Sequence, residues 1–180
     1  MLEGEEKLIR EAKQGKTESF SKLYDHYLAP IYRFIYLKVN QRETVEDLTH
    51  EVFLNAWQNI RSYRLQGFPF SSWLYQIARN RIIDYYRTRK NHVSLENIDP
   101  DIVKTAGSVE LALDQEFSLE KITAAIRNLG DDQQDVLLMR FIEDLPHQEI
   151  AQILEKSEGA VRLIQHRALN ELKKLFKDQA

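Results

Sequence analysis

The side chains in this chain best suited to chemistry are two clusters of basic residues, and the chemistry they suit is the neutralisation of phosphate. Between positions 79 and 90 stand Arg79, Arg81, Arg87, Arg89 and Lys90 against one acid, Asp84. Between 162 and 177 stand Arg162, Arg167, Lys173, Lys174 and Lys177 against one acid, Glu171. Such local density of cations displaces counterions from a nucleic-acid backbone. Just ahead of the first cluster lies an aromatic stretch, Tyr63 to Phe70, broken by Gly67 and Pro69. Aromatic rings beside a basic helix provide what separated bases need for stacking. A single charge run is more often a solvated helix face; two such runs in one small chain point to a protein that grips nucleic acid at two places.

Each cluster needs an element to hold it. The second lies in what reads as a helix-turn-helix, with a first helix over Pro146 to Leu154, a short turn, and a second helix from Ser157 onward. Ala151, Val161 and Ile164 stand at the offsets that close helix crossing requires. Ile150, Leu154, Ala168 and Leu172 extend the apolar stripe, which leaves Glu158, Arg162, His166 and Lys173 on the opposite face. Ser157 is suited to cap the second helix. Glu155 and Lys156 occupy the turn where glycine is common, and a non-glycine residue at positive φ is strained, which counts against this reading. A helical hairpin with a solvated charged face is the bland alternative.

Upstream, the pattern predicts helices over Glu5 to Gln14, closed by Gly15; over Ser19 to Val39, with a bend at Pro30; and over Thr44 to Ile60. In the third, Val45, Leu48, Val52, Phe53, Ala56, Trp57 and Ile60 form one apolar stripe, and Thr44 with Asp47 resembles a capping box. Glu46, His50, Glu51 and Asn55 then share a polar face suited to a basic helical partner. Ser71 is a candidate cap for a helix through Trp73, Leu74, Ile77 and Ala78, on which Asn80, Asp84 and Arg87 fall at i, i+4 and i+7. Trp73 and Tyr85 are expected in the core. Asn91 to Leu113, with Pro100, Gly107 and several acids, reads as a flexible linker, with a further helix beginning near Ser108. Extended, it could reach roughly 75 Å, enough to bridge sites one or two DNA turns apart. The fold class is therefore all-α, with two small helical domains, 1–92 and 114–180, joined by 93–113.

Composition is compatible with that organisation. The 180 residues are 43% hydrophobic and 29% charged, which describes a globular chain. No cysteine is present, which excludes disulfides, thiolate metal sites and cysteine nucleophiles. The charged start Met-Leu-Glu-Gly-Glu-Glu-Lys is unlike a secretory signal, and no apolar run approaches a membrane span, so a cytoplasmic protein without membrane insertion is expected. Net charge is −3 and unevenly spread. Residues 1–92 hold 15 Lys+Arg against 11 Asp+Glu, residues 93–113 hold 1 against 4, and residues 114–180 hold 9 against 13. Such a chain should bind DNA weakly alone and rely on a partner.

The order of these parts resembles the extracytoplasmic-function (ECF) group of bacterial RNA polymerase sigma factors across nearly the whole chain. Val45-Glu-Asp-Leu-Thr-His-Glu-Val-Phe-Leu-Asn-Ala-Trp57 is similar to the segment by which that family binds the coiled coil of the polymerase β′ subunit. The resemblance implies polymerase contacts from Asp47, His50, Glu51 and Leu54, with His50 standing where the family often has glutamine. Phe70-Ser-Ser-Trp-Leu-Tyr-Gln-Ile-Ala-Arg-Asn80, followed by Asp84 and Arg87, resembles the promoter-melting and minus-ten region. It implies DNA contacts from Tyr63, Arg64, Phe68, Arg79, Asn80, Arg81, Arg87, Arg89 and Lys90, with the loop from Ser62 to Phe70 holding a flipped base. The C-terminal part resembles the domain that reads the minus-thirty-five element and touches the β flap, implying DNA contacts from Glu158, Gly159, Arg162, Leu163, His166 and Arg167. Leu163, Ile164 and Leu169 depart from the commonest pattern there. The short tail after the last helix is unlike the regulatory extension of some relatives. The resemblance further implies core RNA polymerase and promoter DNA as partners, sequestration by an anti-sigma factor, and no cofactor.

Two other classes remain in view. A one-component helix-turn-helix repressor would bind an operator without polymerase, but leaves the 79–90 cluster unexplained. A carboxylate-bridged di-metal enzyme is suggested by Asp47-x-x-His50 and Asp144-x-x-His147, but Pro146 is expected to interrupt the second pair's helix, and no Gly-x-Ser-x-Gly, phosphate loop or His-Glu-x-x-His string occurs. The chain is therefore expected not to be an enzyme.

Overall fold

The computed structural model describes residues 2–64, 69–90 and 124–177, and among them every regular element is helical. The first domain contains α1 (Glu5–Lys13), α2 (Thr17–Val39), α3 (Arg42–Asn59), a 3₁₀ turn (Ile60–Ser62) and α4 (Phe70–Lys90). The second contains a helical turn over 124–127, then α5 (Asp131–Phe141), α6 (His147–Ile153) and α7 (Glu158–Lys177). The expected linker, including the helix anticipated near Ser108, lies outside the described residues.

In the first domain α2 packs against α1, α3 and α4, and α3 packs against α4. The apolar stripe anticipated for α3 is buried at Val45, Leu48, Val52, Phe53 and Ala56, with Trp57 half-buried, and Ile60 is buried in the following 3₁₀ turn. It closes on Leu23, Ile31 and Phe34 of α2 and on Leu74 and Ile82 of α4, all within one contiguous core. Aromatic rings fill the middle: Phe34 meets Tyr75 edge-on at 5.4 Å, and Tyr24 meets Phe53 at 4.6 Å. Such edge contacts add about 1 kcal/mol to simple burial. In the second domain Val136, Leu138, Met139, Ile150, Ile153, Val161 and Ala168 are almost fully buried.

Local chemistry sets the helix ends. Gly15, with φ of 91°, takes the left-handed conformation that closes α1. α2 continues through Pro30. Two expected caps stand inside helices instead. α3 begins at Arg42, two residues before Thr44, because Arg42 pairs with Glu46 one turn along at 2.9 Å and Gln41 supplies the extended entry. α4 begins at Phe70, ahead of Ser71, with the Trp73 amide bonded to the Pro69 carbonyl at 3.3 Å. The Ser157 cap holds, with the Ala160 amide donating to Ser157 Oγ at 3.2 Å, and the turn accommodates Glu155 at φ of 53° despite the absence of glycine.

Removing that cap in Ser157→Ala should destabilise the second domain by about 1 kcal/mol, read as a lower urea midpoint with an unchanged slope. A slope change would mean that the substitution alters compactness and not only the cap.

Candidate nucleic-acid interface

On α3, Asp47, His50, Glu51 and Leu54 follow one another at i, i+3, i+4 and i+7 and are all exposed. Leu54 is 45% exposed, a large apolar side chain with water on one side. Beside it Phe20, Tyr24, Phe53 and Trp57 line an apolar hollow of about 280 Å³, with His50 on the same wall. Of the wider polar face, Glu46 is exposed and Asn55 half-buried. The combination of acid, imidazole and leucine around a hollow suits a helix carrying both basic and apolar side chains.

α4 carries the first basic cluster. Asn80, Arg87 and Arg89 are exposed. Arg87 pairs with Asp84 at 3.0 Å, and Arg89 donates to Gln41 and to the Tyr85 hydroxyl. Arg81 approaches Glu51 of α3 at 4.0 Å, so the α3 face and the α4 face adjoin. Lys90 ends the helix.

The aromatic stretch ahead of α4 departs from expectation. Tyr63 is only 5% exposed, with its ring 5.4 Å from Phe70 and 5.1 Å from Trp73, and Phe70 is fully buried. Burial drives the Tyr63 hydroxyl up to about 12. Tyr63 is therefore a core residue in this arrangement and offers no face to a base. An aromatic ring flanked by others gains more from packing than from exposure. Arg64 is exposed, and Phe68 lies outside the described residues.

Arg79 is not free either. Its Nε donates to Asp135 Oδ2 at 2.8 Å and its Nη2 to Asp132 Oδ1 at 2.9 Å, both on α5 of the second domain. Asp135 also takes the ammonium of Lys38 from α2, and both side chains of that pair are at least 96% buried, with exposures of 4% and 1%. Asp132 reaches on to Lys156 in the helix-turn-helix turn at 3.0 Å. Burial alone would lower the Arg79 guanidinium, but the two carboxylates outweigh it and raise it. Burial would likewise raise Asp132, and Lys156 and Arg79 outweigh that and hold it below the usual carboxylate range.

A second set of contacts lies alongside. Arg33 makes a two-pronged bond to Glu143 at 2.8 and 2.7 Å, and the Tyr75 hydroxyl donates to the same carboxylate at 2.8 Å. Burial and the Glu143 charge push the Tyr75 hydroxyl upward. Ser72 and Gln76 of α4 donate to Glu149 and Glu155. Between the domains, Arg127 donates to the Leu37 carbonyl at 3.1 Å. The interdomain residues Lys38, Arg33, Tyr75, Asp132, Asp135 and Glu143 escaped sequence reasoning. Their partners lie 53 to 110 positions away, and no local pattern marks them.

On α7 all six expected residues, Glu158, Gly159, Arg162, Leu163, His166 and Arg167, are exposed, as are Lys173 and Lys174. Arg162 pairs with Glu158 one turn back. Val161 and Ala168 seal the opposite face, with Ile164 and Leu172 packed beside them. His147 at the start of α6 meets Gln165 at 2.5 Å, tying the two helices together. Pro146 turns out to precede α6 and Asp144 to sit in the turn before it, at φ of 52°. Asp144 and His147 therefore do not share a helix, and among the described residues no group of three His, Cys, Asp or Glu side chains could hold a metal ion.

Asp135→Asn should cost roughly 3 kcal/mol or more, because it leaves Lys38 and Arg79 buried without a full counter-charge. Denaturation should show the loss shrinking in a Lys38→Met background, where less buried charge is stranded. The depressed Asp132 carboxyl adds a pH dependence. Its contribution is complete above about pH 4, the ordinary carboxylate value, and is lost as the pH falls through the depressed value. Acid titration followed by small-angle scattering should therefore show the domains separating at the acid end, and a lower apparent onset pH for separation at low salt.

Comparison with known proteins identifies the family. The family Sigma-70 region 2 matches residues 23–92, and Sigma-70, region 4 matches residues 125–174. The ECF RNA polymerase sigma factor BldN of Streptomyces coelicolor is 34% identical over 96% of this chain, which spans 66% of that protein's length. The ECF RNA polymerase sigma factor SigW of Bacillus subtilis is 31% identical over 96% of both. Among solved structures, the sigma factor RpoE of Bartonella quintana, in complex with the anti-sigma factor NepR, shares the fold with a TM-score of 0.72 at 21% identity, over 89% of this chain and 98% of that one. CnrH, in complex with the cytosolic domain of CnrY, does so with a TM-score of 0.68 at 20% identity, over 96% and 97%. With both regions matched in order and a full-length relative above 30% identity, the chain belongs to the ECF RNA polymerase sigma factors of the sigma-70 family.

Proposed function

We propose that this chain joins core RNA polymerase through the exposed face of α3 and directs it to promoters read by α4 and α7. The observation that carries this reading is the state of α7: every residue expected to meet DNA faces outward from a helix whose other side is sealed into the core. The N-terminal half of such a helix is placed to enter a major groove. Asp47, His50, Glu51 and Leu54 take the β′ coiled coil, and the second domain meets the β flap. Asn80, Arg81, Arg87, Arg89 and Lys90, with Arg64 and Phe68 ahead of the helix in sequence, take the minus-ten DNA. The domain boundaries proposed are 1–92 and 114–180, with 93–113 linking them.

Opening of the duplex is driven by binding energy and no covalent step is required. Unstacking costs a few kcal/mol per base, and stacking and charge neutralisation return a similar amount. Arg79 joins the minus-ten contacts only once Asp132 and Asp135 withdraw, so promoter melting on this reading requires the domains to part. Tyr63 is left out of the base-holding set. The chain acts where polymerase acts, in the cytoplasm, and among the described residues no helix is long and apolar enough to cross a membrane. Because the RpoE of Bartonella quintana was solved with an anti-sigma factor, we extend sequestration by such a factor to this chain. An acidic overall charge of −3 fits a protein that needs polymerase to hold DNA.

In vitro transcription with core polymerase on fragments of the parent genome tests the reading. The chain should create new starts that share two spaced upstream elements. Leu54→Ala and Glu51→Lys should weaken binding to core, whereas Arg87→Ala and Arg162→Ala should leave it intact and each lower promoter affinity by roughly tenfold. Tight operator binding by the chain alone, with no new starts, would favour a one-component repressor instead.

A further inference from the structure

Leu163 is an exposed apolar side chain at the centre of a polar face. At 3.6 residues per turn, Arg162, His166, Leu163 and Arg167 fan across the outward side of α7, with Leu163 48% exposed between cations. No described residue covers it, while Val161 and Ala168 on the reverse side are fully buried. One turn before it on the same stripe stands Gly159, also exposed. That glycine has no conformational reason to be one: its φ is not positive, and a Cβ there would meet nothing within 4 Å. A glycine also weakens a helix relative to alanine. The pair thus leaves a shallow apolar notch where a surface could come close to the helix backbone, flanked by Arg162, Arg167 and the Glu158 that pairs with Arg162.

Major-groove base edges offer one large apolar group, the C5-methyl of thymine; the others present hydrogen-bond donors and acceptors. A leucine can complement only the former. Resting on the reading that α7 enters promoter DNA, we propose that the Gly159–Leu163 notch reads the methyl group of a thymine in the upstream promoter element, and so sets one position of this chain's base preference. Arg162 and Arg167 hold the flanking phosphates or base edges, and Gly159 lets the helix settle deep enough for the leucine to reach the methyl.

The test uses holoenzyme and a promoter mapped by the transcription experiment above, with each thymine of the upstream element replaced singly by deoxyuridine, which lacks only the methyl. At one position the substitution should lower holoenzyme affinity about fourfold, the worth of one methyl-sized apolar contact. Leu163→Ala should bind thymine DNA as weakly as the unsubstituted chain binds deoxyuridine DNA there, and should lose no more on deoxyuridine DNA. Leu163→Met should retain sensitivity to the methyl. Gly159→Ala should leave thermal stability unchanged or raised while weakening promoter binding, so a folding defect cannot account for the loss. The proposal is overturned if no thymine is sensitive, if Leu163→Ala keeps the full deoxyuridine effect, or if Gly159→Ala binds as tightly as the parent. Failure to direct any new start would instead overturn the sigma reading beneath it.

Discussion

Asp135 is the acceptor on which the packing of the two described domains against each other depends. It is almost entirely buried, and it takes one cation from α2, Lys38, and another from α4, Arg79. Charges removed from water to this degree are tolerated only when paired and fully hydrogen-bonded. Among the described residues no buried side-chain nitrogen or oxygen is left without a partner, so the condition is met. Satisfying it fixes α5 against two helices of the first domain at once. Asp132, one turn earlier on α5, shares Arg79 and passes the network to Lys156 in the turn between α6 and α7. The helix-turn-helix is thereby held in a defined position relative to α4.

Among the described residues the ion pairs across this interface all run one way, although Arg127 and Lys156 of the second domain also lie at it. The first domain contributes Arg33, Lys38 and Arg79, and the second contributes Asp132, Asp135, Glu143, Glu149 and Glu155. The same asymmetry is written in composition, with an excess of four basic residues over 1–92 and of four acidic residues over 114–180. An acidic helical surface opposite basic side chains offers them what a phosphate backbone would, namely oxygen acceptors bearing negative charge. The acid that makes the chain's net charge look wrong for a DNA binder therefore has a structural location. Part of it, at Asp132, Asp135 and Glu143, is paired with the first domain's cations, while Asp131, Asp144, Glu158 and Glu171 remain exposed.

Legibility in the sequence followed the range of the interactions. The apolar stripe of α3, the closing Gly15 and the Ser157 cap are all set within a few residues, and each could be read from spacing. Helix starts at Arg42 and Phe70 were missed because the residues before them, Gln41 and Pro69, give weaker signals than the Thr44 and Ser71 that followed. On the site, exposure on α3 and α7 was readable because an amphipathic helix declares its outward face. Tyr63 and Arg79 were not, since their fate depends on groups far along the chain. Tyr63 sits against a ring from the next helix, and Arg79 meets carboxylates 53 and 56 residues away. Nothing in a window of a dozen residues distinguishes an arginine held for DNA from one held by a distant aspartate.

That difference divides the two helices proposed to face DNA by what each must give up. α7 presents its outward residues to solvent, and its strongest surface attachment is the exposed Arg162–Glu158 pair within one turn of the same helix. Such a pair is worth little and yields easily to a phosphate. α4 keeps Asn80, Arg87 and Arg89 outward but has its most buried cation, Arg79, committed to two carboxylates. Exchanging those for DNA requires desolvated charges to be re-partnered, and that is far more costly than releasing a surface pair. Duplex contact by the second domain is thus compatible with the packed chain as it stands. On the proposed reading, full engagement of the first domain with DNA is coupled to breaking the interface at Asp135. The energy to break it must come from contacts that neither domain makes alone.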